Sequence, residues 1–394
     1  MLRHSSLSPS VALLFAGLAL GACGGSPTTT TTPPDVPATP VQPTTRTTKA
    51  PELGAGDYSP SSVDLVVIAT ADNGLKTPRD LAWNPQRPDE LWVVSHGDDS
   101  MTIITDASKD ARVAERRKDK GASHFMPKPA ALAFGKPDTS FGAGGTFGTC
   151  GESRNTYDDK AKPNDFMGPV LWSSDLTVFA KKDPEGLGSH LDMLHNTPLC
   201  MGIAHEAENR YWVFGGLKNS LDRYDFKRDH NVGQDDHSDG ESYQYATGQV
   251  KYAEGIPSHL VFHAATSTLY VADTGNARVA KLDTKSGKAG KRVSPKEPMG
   301  TSIMMDDAVL VDVVSAESGK LKAPSGLELR NELLFVSDNE TGRITAFALD
   351  GSVVNYLDTG LPKGALSGMA FGPDGRLYLV DMAGDRVLRI DPKK

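Results

Sequence analysis

A three-strand pattern that recurs in the C-terminal part of the chain constrains the fold more than any other feature of the sequence. In residues 257–283, short apolar runs alternate with turn-forming residues in PSHLVFHAATSTLYVADTGNARVAKLD. Residues 323–347 and 366–390 follow the same design, in which an Asp ends the second strand and an Arg begins the third five residues later. Such repetition predicts an architecture of similar units. The paired residues, expected to form salt bridges within hairpins, are Asp273/Arg278, Asp338/Arg343 and Asp381/Arg386.

These segments resemble the NHL repeat, in which one repeat forms one four-stranded blade of a β-propeller. The match is close at 257–283, and further, more degenerate copies lie at 77–104, 128–134 and 199–216. The resemblance implies an all-β chain folded as a six-bladed β-propeller. The first apolar residues of the six inner strands are Leu81, Leu132, Ile203, Leu260, Leu327 and Met369.

An extra strand before the first repeat predicts how the ring closes. Residues 63–70, VDLVVIAT, are typical of a strand, whereas the last repeat supplies only three strands before the chain stops. Both observations are explained if this N-terminal strand forms the outer strand of the last blade, as is common in propellers. The propeller is therefore expected to span residues 63–394. No helical fold competes, because long amphipathic periods are absent and glycine and proline interrupt the chain throughout.

The N-terminus is predicted to be a targeting segment. Residues 11–20 form an apolar run that is too short to cross a membrane, and the sequence Leu-Gly-Ala-Cys ends at Cys23. This segment resembles a bacterial lipoprotein signal, which implies a signal peptide at 1–22 and a lipid on Cys23; an ordinary secretory signal is the alternative. Residues 23–62 are rich in Thr and Pro and are expected to form a disordered linker.

The expected location is the bacterial cell envelope, with a membrane as one partner through the lipid. Gly24 follows the cysteine where an Asp would favour the inner membrane, so the outer membrane is the preferred expectation. A nucleic-acid partner is not expected, because the net charge is −8 and the pI is about 5.7. The domain is expected to be monomeric.

Two cysteines remain besides Cys23, and their positions in the repeat suggest a disulfide. Cys150 ends the second strand of blade 2, and Cys200 precedes the first strand of blade 3. In the propeller that the resemblance implies, both lie at the same rim of neighbouring blades. An exported protein meets an oxidising compartment, so a Cys150–Cys200 disulfide is expected. Two buried free thiols are the alternative.

Candidate binding residues occur at the rim where the inner strands begin, here called the upper rim. The position before the first apolar residue is small in four copies but is Asp80 in blade 1 and His259 in blade 4. These two blades are opposite in a ring of six, so the side chains are expected to face each other across the channel. Six-bladed propellers generally bind ligands at this mouth, although these groups also suit a water-filled channel. The expected binding face contains Asp80, His96, Glu152 and Arg154.

Histidines on the same face are candidate ligands for one divalent metal, namely zinc, copper or calcium. His124 and His195 each lie eight residues before the first apolar residue of their blade's inner strand. Together with His259 they place three imidazoles on one rim, and imidazole is the commonest protein ligand of transition metals. The arrangement resembles that of the propeller amidating lyases, which hold zinc with one His from each of three blades. Here the Pro-His of that family is offset by one residue, at 257–259.

A second and weaker candidate metal site lies in the acidic insertion of blade 3, residues 227–241. Its candidate ligands are Asp235, His237 and Asp239, which could hold a cation together with Asp229 and His230. The spacing departs from an EF-hand, because a His occupies the third position and Ala246 the twelfth. A solvated acidic loop is the alternative interpretation.

Two functions fit these patterns. The first is a binding or scaffold module that recognises a small ligand or an envelope protein at the upper rim. The alternative is a metal-dependent lyase or hydrolase with a His-rich site at the channel mouth. Residues 372–381 resemble a gluconolactonase-type propeller, but the strand-start Glu of that family has no counterpart here. Because one fold serves many functions, the site must decide between them.

Overall fold

The computed structural model describes residues 49–156, 159–182, 186–234, 236–293 and 298–393. The predicted signal peptide, Cys23, most of the linker and Asp235 lie outside these ranges. Within them the chain forms six β-sheets, and the inner strands of neighbouring sheets contact one another in a closed ring. The protein is a six-bladed β-propeller, as the repeat predicted. No helix among the described residues is long and apolar enough to cross a membrane.

Strands in the first half of the chain form the closing strand and blades 1 to 3. The closing strand is β1 (Val63–Ala69). Blade 1 contains β2 (Pro78–Trp83), β3 (Leu91–Ser95), β4 (Ser100–Thr105) and β5 (Val113–Arg117). The four-residue helix α1 (Ala122–Phe125) leads into blade 2, which contains β6 (Pro129–Phe134), β7 (Thr146–Gly151), β8 (Val170–Ser173) and β9 (His190–Met193). Blade 3 begins with β10 (Cys200–Ala207), β11 (Arg210–Gly215), β12 (Ser220–Asp225) and β13 (Glu241–Tyr245).

The second half of the chain forms blades 4 to 6 and one inserted hairpin. Blade 4 starts with β14 (Leu260–His263), β15 (Thr268–Asp273) and β16 (Arg278–Asp283). The hairpin β17 (Lys288–Arg292) and β18 (Thr301–Asp306) precedes the outer strand of blade 4, β19 (Val311–Val314). Blade 5 contains β20 (Pro324–Arg330), β21 (Leu333–Asp338), β22 (Arg343–Ala348) and β23 (Val353–Asp358), and blade 6 contains β24 (Leu366–Phe371), β25 (Leu377–Asp381) and β26 (Arg386–Pro392). Short 3-10 turns occur at Pro51–Leu53, Pro60–Ser62, Ala71–Asn73, Thr274–Asn276 and Ala316–Ser318.

The predicted closure of the ring is confirmed. The N-terminal strand β1 pairs antiparallel with β26, with Val63 opposite Pro392 and Val67 opposite Leu388. Blade 6 thereby gains its fourth strand from the beginning of the propeller. Joining both ends of the domain in one sheet means that neither end of the ring can separate without breaking backbone hydrogen bonds.

The core lies between the faces of adjacent blades. Between blades 1 and 2, Trp92 packs edge-on against Phe147, with ring centroids 5.0 Å apart, and both side chains are fully buried. Phe179, from the loop after β8, completes this cluster. The strand β3 is apolar at successive positions and so supplies such a face to both neighbours, because successive side chains point to opposite sides of a sheet. Trp92 and Val94 pack towards blade 2, whereas Leu91 and Val93 pack towards blade 6.

Two features of the sheets depart from the sequence-based expectation. The β17–β18 hairpin leaves blade 4 and extends blade 3, because β18 pairs parallel with β13 and makes that sheet six-stranded. The repeated salt bridge forms in two of the three copies, at Asp273/Arg278 and Asp381/Arg386. In blade 5, Arg343 instead pairs with Asp358 at 2.7 Å. Asp338 there accepts the backbone N–H of Lys322 at 2.6 Å.

The predicted disulfide between Cys150 and Cys200 is confirmed. It joins the end of β7 in blade 2 to the start of β10 in blade 3 across a sequence separation of 50 residues. Both residues are buried, with exposed fractions of 3% and 0%. A disulfide of this kind indicates an extracytoplasmic location, because cytosolic thiols are kept reduced.

Candidate functional site

Asp80 and His259 face each other in the central channel, as their positions in opposite blades predicted. His259 Nε2 lies 3.8 Å from Asp80 Oδ1, and both residues are less than a tenth exposed. The other oxygen of Asp80 accepts the backbone N–H of Leu132 at 3.0 Å. Burial raises the pKa of Asp80, although the His259 charge and two backbone N–H groups oppose that shift. The pair therefore lies beneath the upper rim and is screened from bulk water.

Glu328 adds a second carboxyl group to this channel, and the sequence analysis did not identify it. It lies on the inner strand β20 and lines a cavity of about 270 Å³ together with Asp80, His205 and His259. Burial, reinforced by the Asp80 charge, raises the pKa of Glu328 to about 8. A signal was present in the repeat alignment: the residue after the first apolar position is Ala or Val in the other five copies. A lone Glu at that position places an acid inside the ring.

Because the pKa of Glu328 is raised, we expect the free energy of unfolding to depend on pH. The folded protein keeps this proton up to about pH 8, whereas the unfolded chain releases it near pH 4.5, so the free energy of unfolding falls as the pH rises through that window. Glu328→Gln removes this dependence. We expect the free energy of unfolding of Glu328→Gln minus that of wild type to increase by on the order of 2 kcal/mol between pH 5 and pH 9. Urea unfolding of both proteins measures this difference. Glu332→Gln, at an exposed carboxylate of the same blade, is the control. Parallel pH profiles for wild type and Glu328→Gln would contradict this assignment.

Glu152 is the centre of a buried network at the upper rim. Its Oε2 lies 3.3 Å from His96 Nε2, while Oε1 accepts the Tyr252 hydroxyl at 2.5 Å and the Gly255 backbone N–H at 2.7 Å. Burial alone would raise the pKa of Glu152, but the hydrogen bonds from His96, Tyr252 and Gly255 and the Arg79 charge lower it to about 2. Glu152 is therefore an ionised acceptor whose oxygens are already engaged.

Arg79 completes this network, which we call the mouth cluster (Arg79, His96, Glu152 and Tyr252). Arg79 is 6% exposed, and its guanidinium donates to the carbonyl of Gly255. Burial lowers the pKa of Arg79, and the nearby Glu152 charge opposes that shift. The cluster links blade 1, blade 2 and the connection between blades 3 and 4. These side chains therefore engage one another at the upper rim, where a ligand was expected to bind.

A separate pocket opens beside the mouth cluster on the same rim. This rim pocket has a volume of about 500 Å³, and its described lining includes His124, Lys128, Glu152, Arg154 and Lys160. The Arg154 guanidinium pairs with Asp165 at 2.6 Å, and both side chains are partly exposed. Two of the expected binding-face residues, Glu152 and Arg154, thus share a concave surface.

The remaining two expected binding-face residues lie elsewhere. His96 lies against the Glu152 carboxylate in the mouth cluster, and Asp80 lines the channel cavity. Lys128 and Lys160 could not be identified from the sequence, because isolated lysines in loops carry no distinguishing pattern. The expected face therefore divides into a pocket, a buried network and a channel.

The three histidines of the expected metal site are not in the group of potential metal ligands found among the described residues. His195 is 1% exposed and stacks on Phe166 with ring centroids 3.6 Å apart, while its edge meets His237. His259 faces Asp80, and His124 belongs to the wall of the rim pocket. The repeat does not determine where His195 lies, because inserted segments pack around it and their paths are independent of the repeat.

The acidic insertion of blade 3 contributes to a different cluster from the one expected. Among the described residues, one group of potential metal ligands has all its ligand atoms within 4.8 Å of one another: Asp192, His230 and Asp239. Asp239 and His230 were among the residues expected to hold a cation here. His237 instead donates from Nδ1 to Asp192 Oδ1 at 2.9 Å, and Asp235 lies outside the described residues. Asp192 was missed, because it belongs to strand β9 of blade 2 and meets the insertion only in the folded protein.

Comparison with known proteins supports the fold. No family model matches the sequence, and no curated protein matches it. Auxiliary nutrient binding proteins from Bacteroides ovatus and Bacteroides thetaiotaomicron superpose with a TM-score of 0.52 at 12% identity, covering 80% and 81% of this chain and 69% and 70% of theirs. A luciferin-regenerating enzyme superposes with a TM-score of 0.51 at 14% identity, covering 83% of this chain and 95% of its own. At such low identity these similarities show the propeller fold alone.

Proposed function

We propose that this chain is an extracytoplasmic binding protein that holds a small anionic ligand in the rim pocket. The observation that carries the proposal is the pocket itself, a concavity of about 500 Å³ lined by Lys128, Arg154 and Lys160. That volume lies within the range of about 300–1,000 Å³ typical of small-molecule sites. The rim is also where a rigid propeller presents its loops.

Charge favours an anion as the ligand. Glu152 is the acidic residue among the described lining residues. Tyr252 and His96 already contact its two carboxylate oxygens. Asp165 pairs with Arg154, so the excess of positive charge in the pocket comes from Lys128 and Lys160, which are both exposed. An Arg guanidinium binds carboxylates and phosphates through paired hydrogen bonds, whereas a Lys acts as a compact point charge. Carboxylated sugars and small organic acids are therefore the proposed ligand class.

One wall of the pocket is held in place by the Cys150–Cys200 disulfide and by a backbone hydrogen bond. Glu152 and Leu199, which both line the pocket, lie two residues after Cys150 and one residue before Cys200. The backbone N–H of Leu199 also donates to the carbonyl of Ser153 at 2.9 Å. A wall fixed before binding reduces the entropy lost when a ligand is held.

The proposed setting is the bacterial envelope. A lipid on Cys23 and a Thr/Pro-rich linker would hold the propeller at a membrane, the outer membrane being preferred. Auxiliary nutrient binding proteins share the fold, which is compatible with a role in capturing solutes. The metal-dependent lyase or hydrolase has less support, because its three histidines are separated and Glu152 is not free to act as a base.

Arg154→Ala tests the proposed binding function. We expect sugar acids and dicarboxylates that raise the melting temperature of the wild-type protein to bind this variant about 10- to 100-fold more weakly, because a charge-assisted hydrogen bond is lost. Calorimetric titration measures the dissociation constants, and each anion is compared with its neutral counterpart, such as glucuronate with glucose. Arg376→Ala, at an exposed arginine of blade 6, is the matched control. Equal binding of neutral and anionic partners, or no response to any anion, would overturn the proposal.

A further inference from the structure

The cluster of Asp192, His230 and Asp239 lies at a junction between two blades. Asp192 belongs to β9, the outer strand of blade 2. The other two residues belong to the insertion between β12 and β13 of blade 3, which folds against that strand. The backbone confirms this contact, because the N–H of Gly233 donates to the carbonyl of His190 at 2.9 Å.

The distances within the cluster lie on either side of the separation expected between ligands of one metal ion. His230 Nε2 lies 2.9 Å from Asp239 Oδ1 and 4.0 Å from Asp192 Oδ2. Tetrahedral zinc with bonds of about 2.0–2.2 Å places its ligand atoms roughly 3.3–3.6 Å apart, between these two values. An ion could thus be accommodated by side-chain shifts of less than an ångström.

Asp192 supplies an independent reason to expect a cation. Its side chain is completely buried, and Oδ2 has no hydrogen-bond partner among the residues that the structure describes. A buried carboxylate oxygen without a partner is costly, because it has lost its water and gained nothing in return. This oxygen is directed towards His230, whose Nε2 faces the same point. A divalent cation there would give Oδ2 a partner and would replace the 2.9 Å hydrogen bond between His230 Nε2 and Asp239 Oδ1.

The surrounding contacts orient all three residues in the way that outer-shell partners orient metal ligands. His237 donates to Asp192 Oδ1 at 2.9 Å, which leaves Oδ2 for the centre. His230 Nδ1 lies 3.6 Å from Asp236 Oδ2, so this imidazole can keep a proton on Nδ1 while Nε2 binds a metal. Arg228 Nε holds the outer oxygen of Asp239 at 3.2 Å.

We infer that Asp192, His230 and Asp239 form a site for a divalent transition metal such as zinc, with a fourth position open to water. The donor set of one imidazole and two carboxylates suits zinc and its first-row neighbours. The ion fastens the insertion of blade 3 to the outer strand of blade 2. This site is independent of the rim pocket and of the proposed ligand.

The test uses the full chain, purified without a histidine tag and stripped with EDTA. Titration with Zn²⁺ against a chromophoric chelator is expected to show one tight site per chain, weakened at least about 100-fold in His230→Ala and Asp239→Asn. Zn²⁺ is also expected to raise the melting temperature of the wild type by a few degrees, and not that of the variants. His263→Ala, at a histidine of blade 4, is the matched control and should bind zinc like the wild type.

Asp239→Asn is expected to fold normally, because this side chain is partly exposed in a loop. It therefore tests zinc binding without a change in folding. A variant that unfolds at the wild-type temperature without zinc but no longer responds to zinc supports the site. The inference is overturned if the stripped wild type binds no zinc, or if both variants bind it with unchanged affinity. Loss of zinc only in His195→Ala would overturn it as well, since that residue belongs to the three-histidine site that the structure separates.

Discussion

Glu152→Gln is expected to lower the free energy of unfolding at pH 7 by about 3 kcal/mol. The substitution keeps the shape of the side chain but removes the charge that His96, Tyr252 and the Gly255 N–H stabilise. It also leaves the buried guanidinium of Arg79 without its counter-charge, and removing one partner of a buried pair is strongly destabilising. Urea unfolding of both proteins measures the difference.

The dependence on pH distinguishes this explanation from a loss of packing. The pKa of Glu152 is about 2 in the folded protein and near 4.5 in the unfolded chain, so its contribution is complete above pH 4.5 and is lost as the pH falls towards 2. The difference between wild type and Glu152→Gln should therefore shrink between pH 5 and pH 3. Glu115→Gln, at an exposed carboxylate paired with Arg117, should change stability by less than about 0.5 kcal/mol. A difference that is constant with pH would contradict the role of the charge.

Removing the disulfide is expected to cost about 4 kcal/mol of stability. Cys150 and Cys200 close a loop of 50 residues, and the entropy that such a loop removes from the unfolded chain predicts this magnitude. The double variant Cys150→Ala/Cys200→Ala should therefore unfold at a much lower urea concentration than wild type. Dithiothreitol should reduce the stability of the wild type and leave that of the double variant unchanged.

The disulfide variant also has a control within the chain. Cys23→Ser removes the third cysteine, which lies far from the propeller in sequence, and should leave the unfolding midpoint of the domain unchanged. If the double variant loses less than about 1 kcal/mol, the bridge contributes little to the folded ring. In that case the hydrogen bond between Leu199 and Ser153 would already hold blades 2 and 3 together.

The repeat accounts for most of what could be predicted about the fold. Alternating apolar residues and turn residues define the strands of each blade, so the three clear copies predicted the sheet order of blades 4 to 6. Counting strands was sufficient to predict that β1 closes blade 6, because an incomplete sheet leaves unpaired backbone groups. The disulfide followed from equivalent rim positions in neighbouring blades. All of these are consequences of local periodicity.

The insertions account for most of what could not be predicted. The β17–β18 hairpin lies within blade 4 in sequence but pairs with β13 of blade 3, and no local pattern specifies that partner. The placement of His195 against Phe166 and His237 likewise depends on two separate inserted segments. The repeat pattern does not predict where residues of the inserted segments lie.

The candidate sites show the same division. The sequence alone determined the six-bladed ring, its closure, its disulfide and the facing pair Asp80 and His259, because each depends on positions within a regular repeat. Only the tertiary structure decided that Glu152 is buried in a charge network, that Lys128, Arg154 and Lys160 line one pocket, and that Asp192 meets His230. Those contacts join residues from different blades, and the packing of loops against one another, rather than any periodicity, sets their distances.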